Sequence, residues 1–288
     1  MRTTTIDRAI RWALLATTLG GCERVVSVEV PEGPKHLVVE ARLERVQGRV
    51  TGEQTVRLTT TAPYFDHAAP PPARGAVVRV TDETGAVTPF AETSPGTYTT
   101  TALTGVVGRA YTLAIDWSGE RYEATERLQP VTGIDSLYFA PPALDLGDSP
   151  EGLRATIDLR DPRGTKNWYL WDQLVDGRRL IASDSTSRER VTSSDEGIDG
   201  RRVRGYQPYG GVPIAPGSVV VVRQVGLSET GYRYYLALSE QTSNDGSPFA
   251  VPPSSVRGNV TNRTDPSHVA LGYFIAGEVA EKRAVLPR

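Results

Sequence analysis

The chain has 288 residues, of which 39% are hydrophobic and 23% are charged, and its formal net charge is −2. This length allows about two ordinary domains with hydrophobic cores, and the near-neutral charge argues against nucleic acid as a partner. The single cysteine excludes an intrachain disulfide and a cysteine-based metal centre, and the composition points to no cofactor.

The beginning of the chain has the layout of a lipoprotein signal peptide, which we assign to residues 1–21. Arginines give it a basic start, and an apolar run follows over residues 12–19. A bilayer core takes about 20 apolar residues, so a run this short is typical of a signal peptide. The sequence Leu19-Gly20-Gly21-Cys22 resembles the bacterial lipobox, whose cysteine carries the lipid. We predict lipid attachment at Cys22; the alternative is an ordinary secretory signal that precedes a buried cysteine.

The next segments predict a tether and then a β-domain. Residues 22–35 are rich in Glu, Pro and Gly, which is typical of a lipidated tether. Apolar and polar residues then alternate with the period of two expected for strands, over 37–44, 56–58, 76–80, 111–117 and 121–125. Ser118-Gly119, between the last two runs, indicates a hairpin turn. Several short strands and no amphipathic helix predict an immunoglobulin-like or transthyretin-like antiparallel β-sandwich over residues 36–130.

A second β-rich domain with one helix is predicted over residues 131–288. Strand patterns recur at 134–139, 153–160, 167–171, 219–222, 269–274 and 285–286. Asp176-Gly177 indicates another hairpin turn, and the polar residues 183–205 are expected to form a long surface loop. Ser228 is a typical N-cap and predicts a helix that runs to about Gln241. Its apolar stripe consists of Tyr232, Tyr235, Leu236 and Leu238. The predicted fold class is therefore mainly β.

Short catalytic motifs are missing from the sequence. It contains no Gly-x-Ser-x-Gly elbow, no phosphate loop, no dinucleotide fingerprint and no His-Glu-x-x-His pair. Ser228, two residues after Gly226, comes closest to a nucleophile, but its role as a helix cap explains it better. A carboxylate pair for glycoside hydrolysis stays open, because such residues come from distant positions.

Three carboxylates within five residues form the candidate metal site. Asp195, Glu196 and Asp199 alternate with glycines that permit tight curvature, and calcium prefers oxygen ligands in flexible loops. The spacing is not that of an EF-hand. A solvated acidic loop, balanced by nearby arginines, explains these residues better than a metal site, so we predict no metal and keep calcium as the weaker hypothesis.

Two loops rich in aromatic residues and proline are the candidate binding surfaces. The first contains Tyr64, Phe65 and Asp66, and the second contains Phe249 and leads to Asn259. Exposed aromatic side chains in proline-stiffened loops suit recognition, because little conformational entropy is lost when they bind. Alternatively, the two phenylalanines plug the ends of the β-domains.

A series of motifs spread along the chain carries a family resemblance. They are Cys22-Glu23, Leu37-Val38-Val39-Glu40, Thr61-Ala62-Pro63-Tyr64-Phe65-Asp66, Pro95-Gly96-Thr97-Tyr98, Ile134-Asp135-Ser136-Leu137-Tyr138, Asn167-Trp168-Tyr169-Leu170-Trp171, Arg257-Gly258-Asn259-Val260 and Leu271-Gly272-Tyr273-Phe274. In this order the motifs resemble the domain of unknown function 4249 family over the whole mature chain. The resemblance implies an outer-membrane lipoprotein of Gram-negative bacteria, often encoded beside a TonB-dependent transporter. It implies no catalytic residues.

The sequence thus favours a non-enzymatic outer-membrane lipoprotein that binds a ligand or serves a TonB-dependent transporter as an accessory module. A structural or adhesive surface lipoprotein is the second hypothesis, and a glycan or peptide hydrolase is the third. The membrane is the partner reached through the lipid anchor. Only Glu23 is an acidic residue close to Cys22, so the sequence leaves open whether the body faces the cell surface or the periplasm.

Overall fold

Alternating sequence builds strands along most of the chain. The computed structural model describes residues 33–63, 68–143, 150–180, 191–242 and 255–288. The strands in these residues are β1 Leu37–Val46, β2 Gln54–Thr60, β3 Val77–Asp82, β4 Val87–Ser94, β5 Thr97–Thr100, β6 Ala110–Trp117, β7 Glu120–Arg127, β8 Ile134–Ala140, β9 Arg154–Arg160, β10 Trp168–Val175, β11 Arg178–Arg179, β12 Thr192–Ser194, β13 Arg202–Tyr206, β14 Val219–Leu227, β15 Thr261–Asn262 and β16 Leu271–Val285. One helix, α1, spans Glu229–Thr242.

The predicted mainly β class with one helix is confirmed for the part of the chain that the structure describes. No described helix has the length and apolar character needed to cross a membrane. The sandwich type and the division at residue 130 stay predictions.

Two hairpin turns form where the sequence predicts them. Ser118 and Gly119 have φ angles of 52° and 79°, and Asp176 and Gly177 have φ angles of 50° and 79°. Two successive residues with positive φ define the type I′ turn, whose twist matches that of paired strands. The first turn joins β6 to β7 and the second joins β10 to β11.

The last strand organises the largest sheet. β16 pairs in parallel with β1 on one side and antiparallel with β14 on the other. The sheet order is β11-β10-β14-β16-β1-β2-β5-β4-β3-β6-β7-β15, with β12 also on β10, and β13-β9-β8 form a second sheet. The predicted antiparallel arrangement is therefore wrong at this point, because the sheet is mixed. The two predicted closing strands, 269–274 and 285–286, belong to one strand of 15 residues.

The polar stretch predicted as a surface loop contributes to both sheets. β12 lies on β10, and β13 pairs with β9. The prediction of a loop over residues 183–205 is therefore wrong at these two strands. Its polar residues contain no period-two pattern strong enough to reveal them. Residues 181–190 lie outside the described part of the chain.

Buried side chains fall into three groups set by the alternation of the strands. The first group lies among β1, β2, β3, β6 and β7 and includes Leu58 and Leu113. The second lies between β10, β14 and the smaller sheet and includes Ile157 and Trp171. The third lies under α1 and includes Tyr273. Because β16 contributes to all three, it ties the predicted N- and C-terminal regions together.

The predicted boundary near residue 130 is hydrogen-bonded to this shared strand. The Gln129 N–H donates to the Ala276 carbonyl at 3.0 Å, and the Glu278 N–H donates to the Gln129 carbonyl at 2.8 Å. Pro130 then passes so close to β14 that a Cβ on Gly226 would lie 2.3 Å from its carbonyl oxygen. The connection is therefore held in place by backbone contacts, and Gly226 leaves the space for it.

A charged network covers the middle of the sheet on the face that carries α1. Arg42 Nη1 lies 2.8 Å from Asp172 Oδ2, and Arg223 Nη2 lies 2.6 Å from Glu44 Oε2. Arg179 and Arg223 each approach Asp172 at 3.6 Å. The Asp172 side chain is only 5% exposed, so its charge depends on these arginines.

Candidate functional site

A cleft whose walls the structure describes lies beside helix α1. It has a volume of about 430 Å³. Three chain segments line it: the end of β7, one side of α1, and residues 256–259, with Tyr273 of β16 at the base. We call it the tyrosine cleft; its lining residues are Thr125, Glu126, Thr230, Arg233, Tyr234, Ala237, Val256, Arg257, Gly258, Asn259 and Tyr273.

Helix α1 begins at the cleft because of a local capping signal. Ser228 precedes the helix, and its hydroxyl accepts the Gly231 N–H at 3.1 Å, which satisfies one of the free donors of the first turn. Glu229 adds a negative charge where the helix dipole favours it. The predicted helix, with Ser228 as its cap, is thus confirmed. The Ser228 side chain therefore caps the helix, as its position in the sequence predicts.

One side of the helix packs tyrosines against the sheet. The Tyr234 and Tyr273 ring centroids are 4.9 Å apart, and Tyr235 lies 5.2 Å from Tyr234 and 6.4 Å from Tyr273. These distances are typical of favourable aromatic contacts. Leu236, predicted on the apolar stripe, is 41% exposed instead. The helix is rotated so that Tyr234 faces β16, and this brings an aromatic wall to the cleft.

The base of the cleft is a hydroxyl–carboxylate network. The hydroxyls of Ser228 and Tyr273 each lie 3.0 Å from Glu126 Oε2 and donate to it. Tyr273 Oη is also 3.0 Å from Thr230 Oγ1. Burial raises the pKa of Tyr273 to about 12, so its hydroxyl stays protonated at neutral pH and acts as a donor. The network fixes the Glu126 carboxylate in one orientation.

The opposite wall is held to β16 by the Asn259 side chain, which forms the two hydrogen bonds that a neighbouring strand would form. The Asn259 amide donates to the Phe274 carbonyl at 2.9 Å and accepts the Phe274 N–H at 2.9 Å. Next to it, Gly258 lies against the backbone of Gly272, where a Cβ would be 1.5 Å from the carbonyl oxygen. Only glycine permits this approach. Residues 256–259 are therefore a rigid wall.

We expect Gly258→Ala to lower the free energy of unfolding by about 2–3 kcal/mol, since the added methyl group forces this wall away from β16. Urea denaturation followed by circular dichroism measures the change. Gly52→Ala is the matched control, because nothing lies within 4 Å of its Cβ position, and it should change stability by less than about 0.5 kcal/mol. Equal effects of the two substitutions would contradict the close approach at Gly258.

The cleft holds charges of both signs. Within the described chain, no arginine or lysine forms an ion pair with Glu126, and no carboxylate forms one with Arg257. Arg233 is engaged differently, because its guanidinium lies 2.5 Å from Glu229 on the same helix. The cleft therefore presents a fixed carboxylate at its base and a cation on its wall. Such an arrangement can bind polar ligands by hydrogen bonds and by charge.

Of the predicted binding residues, the structure describes Asn259 alone. Tyr64, Phe65, Asp66 and Phe249 lie outside the described residues, and their roles stay predictions. Asn259 does line the tyrosine cleft, but its amide is occupied by Phe274. We assign it a positioning role for the wall. Cys22 also lies outside the described residues.

Sequence reasoning missed Glu126, Arg257 and Tyr273 as site residues. Glu126 and Tyr273 are separated by 147 positions, and they meet only because β7 and β16 both reach the start of α1. The alternation of β16 marks Tyr273 as a core residue, which it also is, at 4% exposure. No local signal in the sequence brings the three together.

The candidate calcium residues are partly brought together. Carboxylate oxygens of Asp161, Asp195 and Asp199 all lie within 4.8 Å of one another, whereas Glu196 is exposed and outside this group. Burial raises the pKa of Asp161, and the charges of Asp195 and Asp199 add to this effect.

Each carboxylate of this group is also used by the surrounding fold. Asp195 accepts the Asn167 N–H at 3.0 Å, Asp199 accepts the Gly164 N–H at 2.6 Å, and Asp161 accepts the Tyr169 hydroxyl at 3.2 Å. These bonds account for the convergence of the three groups. The weak calcium candidate at Asp195, Glu196 and Asp199 stays a prediction.

The fold and the cleft define the class of this protein: it is mainly β, and its described helix forms one wall of a cleft of small-molecule size. A family model described as Domain of unknown function (DUF4249) matches residues 23–283. The chain therefore belongs to the DUF4249 family, and the resemblance found in the sequence motifs is confirmed.

No curated protein matches the chain. Among solved structures, the chain is similar to the crystal structure of a DUF4785 family protein from Legionella pneumophila, with 9% sequence identity and a TM-score of 0.23. That match covers 67% of this chain and 53% of the Legionella chain, so it spans about half the length of the solved protein.

Proposed function

We propose that this protein is a non-enzymatic outer-membrane lipoprotein. It is anchored through Cys22, binds a small ligand in the tyrosine cleft and serves a TonB-dependent transporter as an accessory module. The cleft is the observation that carries the binding role. Its walls come from a capped helix, from β7 and β16, and from residues 256–259, which are bonded to β16. Binding sites on well-held elements lose little conformational entropy when a ligand enters.

The chemistry of the cleft supports binding rather than turnover. Tyr273 is a protonated donor at neutral pH, and the Ser228 hydroxyl that donates to Glu126 is also the cap of α1. Aromatic surface with a few fixed polar groups is the usual composition of a small-molecule site.

The anchor rests on the lipobox-like sequence that ends at Cys22. A thiol that carries lipid, with further acyl chains on the same residue, makes membrane attachment effectively permanent. We expect Cys22→Ser to abolish incorporation of labelled palmitate and to leave the protein outside the outer-membrane fraction. Labelled, membrane-bound Cys22→Ser protein would contradict the anchor.

The transporter association is tested by photo-crosslinking in intact cells. A photoreactive residue is placed at Leu236, which is 41% exposed and lies one turn from Arg233 on α1, and at Val87 as a matched control, which is 58% exposed on β4. We expect mass spectrometry to identify a TonB-dependent transporter in the Leu236 adduct and not in the Val87 adduct. Recovery of no outer-membrane transporter at either position, over several growth conditions, would overturn the accessory role.

A further inference from the structure

The strongest feature beyond the proposed function is the separation of charge inside the tyrosine cleft. Glu126 Oε2 accepts two neutral hydroxyls at 3.0 Å each, and its Oε1 accepts the backbone N–H of Arg127 at 3.1 Å. A carboxylate whose described neighbours supply only neutral donors keeps its charge available for an incoming cation.

Two aromatic rings line the same cleft as that carboxylate. Tyr234 and Tyr273 are 4.9 Å apart with 33° between their planes, and both line the cleft. The faces of aromatic rings attract organic cations, and the attraction strengthens where water is excluded. Tyr273 is buried and reaches Glu126 through its hydroxyl, so the partly exposed Tyr234 ring and Glu126 are the groups suited to an ammonium ion.

The wall across from the helix supplies the opposite charge. Arg257 is exposed, lines the cleft and has no ion-pair partner among the described residues. Its guanidinium offers parallel N–H donors that match both oxygens of a carboxylate. The neighbouring wall residue, Asn259, is already occupied by Phe274 and does not compete for the ligand.

We propose that the tyrosine cleft binds a small zwitterion, a short peptide or free amino acid whose ammonium group pairs with Glu126 and whose carboxylate pairs with Arg257. This assignment rests on the proposed ligand-binding function and names its ligand class. The volume of about 430 Å³ falls in the range of small-molecule sites and accommodates a few amino-acid residues.

The test is isothermal titration of the mature lipoprotein in detergent with four probes: alanine, tri-alanine, N-acetyl-tri-alanine and tri-alanine amide. We expect tri-alanine to bind, and loss of either terminal charge to weaken binding at least about tenfold. Tighter binding of alanine than of tri-alanine identifies free amino acids as the source of the zwitterion, and the reverse identifies peptides.

Variants assign each charge to its residue. Glu126→Gln should bind tri-alanine and the N-acetylated peptide equally weakly, and Arg257→Gln should bind tri-alanine and the amide equally weakly. Arg263→Gln, a control on an exposed arginine outside the cleft, should bind tri-alanine like the wild type. Thermal unfolding establishes that each variant is folded.

Three results would overturn the proposal: no binding of alanine or tri-alanine at about 10 mM, equal affinity for the charged and capped peptides, or variants with unchanged preference. These failures are distinct from failure of the accessory role. Peptide binding without a crosslinked transporter removes only the accessory role, and a crosslinked transporter without zwitterion binding removes only the ligand class.

Discussion

Asp172→Ala is expected to lower the free energy of unfolding by about 3–5 kcal/mol, the loss typical of breaking a buried ion pair from one side. Asp172 is the common partner of Arg42, Arg179 and Arg223, and its side chain is 5% exposed. Without it, Glu44 and Glu281 are left to balance these arginines. Urea denaturation at neutral pH measures the change.

The matched control is an ion pair of similar length on the surface. Arg79 Nη2 lies 2.6 Å from Asp116 Oδ2, but these side chains are 28% and 38% exposed. Asp116→Ala should therefore reduce stability by less than about 1 kcal/mol. A loss at Asp172 no larger than the loss at Asp116 would show that the network is solvated and would refute its structural role.

The Asp172 contribution also depends on pH. Burial pushes the pKa of Asp172 up, but the charges of Arg42, Arg179 and Arg223 outweigh burial, and the pKa lies below its ordinary value. A carboxyl with a lowered native pKa stabilises the fold above its unfolded pKa, about 4, and this stabilisation is lost as the pH falls through the native pKa. The stability difference between wild type and Asp172→Ala should be full at neutral pH and shrink below about pH 4.

Replacing two buried glutamines with methionine should stabilise the protein. Gln173 and Gln224 are 1% and 0% exposed, and all four of their amide atoms lack a hydrogen-bond partner in the described structure. Both side chains point into the core between the large sheet and the smaller sheet. An unsatisfied buried amide costs about 1–3 kcal/mol, so the Gln173→Met/Gln224→Met double variant should gain about 2–4 kcal/mol.

Gln54 provides the opposite case at equal burial. It is 2% exposed, its Oε1 accepts the Glu44 N–H at 2.8 Å, and its Nε2 donates to the Glu44 carbonyl at 2.9 Å. Gln54→Met should destabilise by about 1–3 kcal/mol because it orphans those backbone groups. If the Gln173→Met/Gln224→Met variant is destabilised instead, buried water satisfies the two glutamines, and the premise that their amides lack hydrogen-bond partners is wrong.

Local patterns in the sequence predict the strands and turns well. The alternation over 37–44 predicts a strand, and the dipeptides Ser118-Gly119 and Asp176-Gly177 predict turns. These patterns depend on residues close together in the chain, and the strand and both turns form where they are expected. The same holds for the cap at Ser228, whose partner is three residues away. Signals that depend only on adjacent residues can be read without knowing the fold.

The site could not be predicted in this way, because its residues meet through strand order. The parallel contact of β1 with β16 joins the two ends of the folded chain, and no local pattern specifies a partner that far away. Glu126, Arg257 and Tyr273 depend on this arrangement. The strand around Tyr273 is predicted correctly, but this prediction does not indicate a cleft, because a buried tyrosine in an alternating strand is typical of a hydrophobic core.

Hydrogen–deuterium exchange of the mature lipoprotein tests most directly whether the tyrosine cleft is the binding site. Exchange is compared with and without the peptide-rich, low-molecular-mass fraction of the growth medium. We predict slower exchange in helix α1 and in residues 256–259, and unchanged exchange in β3 and β4, which contribute no residue to the cleft lining. Slowing confined to another region, or no slowing anywhere in the protein, would contradict the assignment.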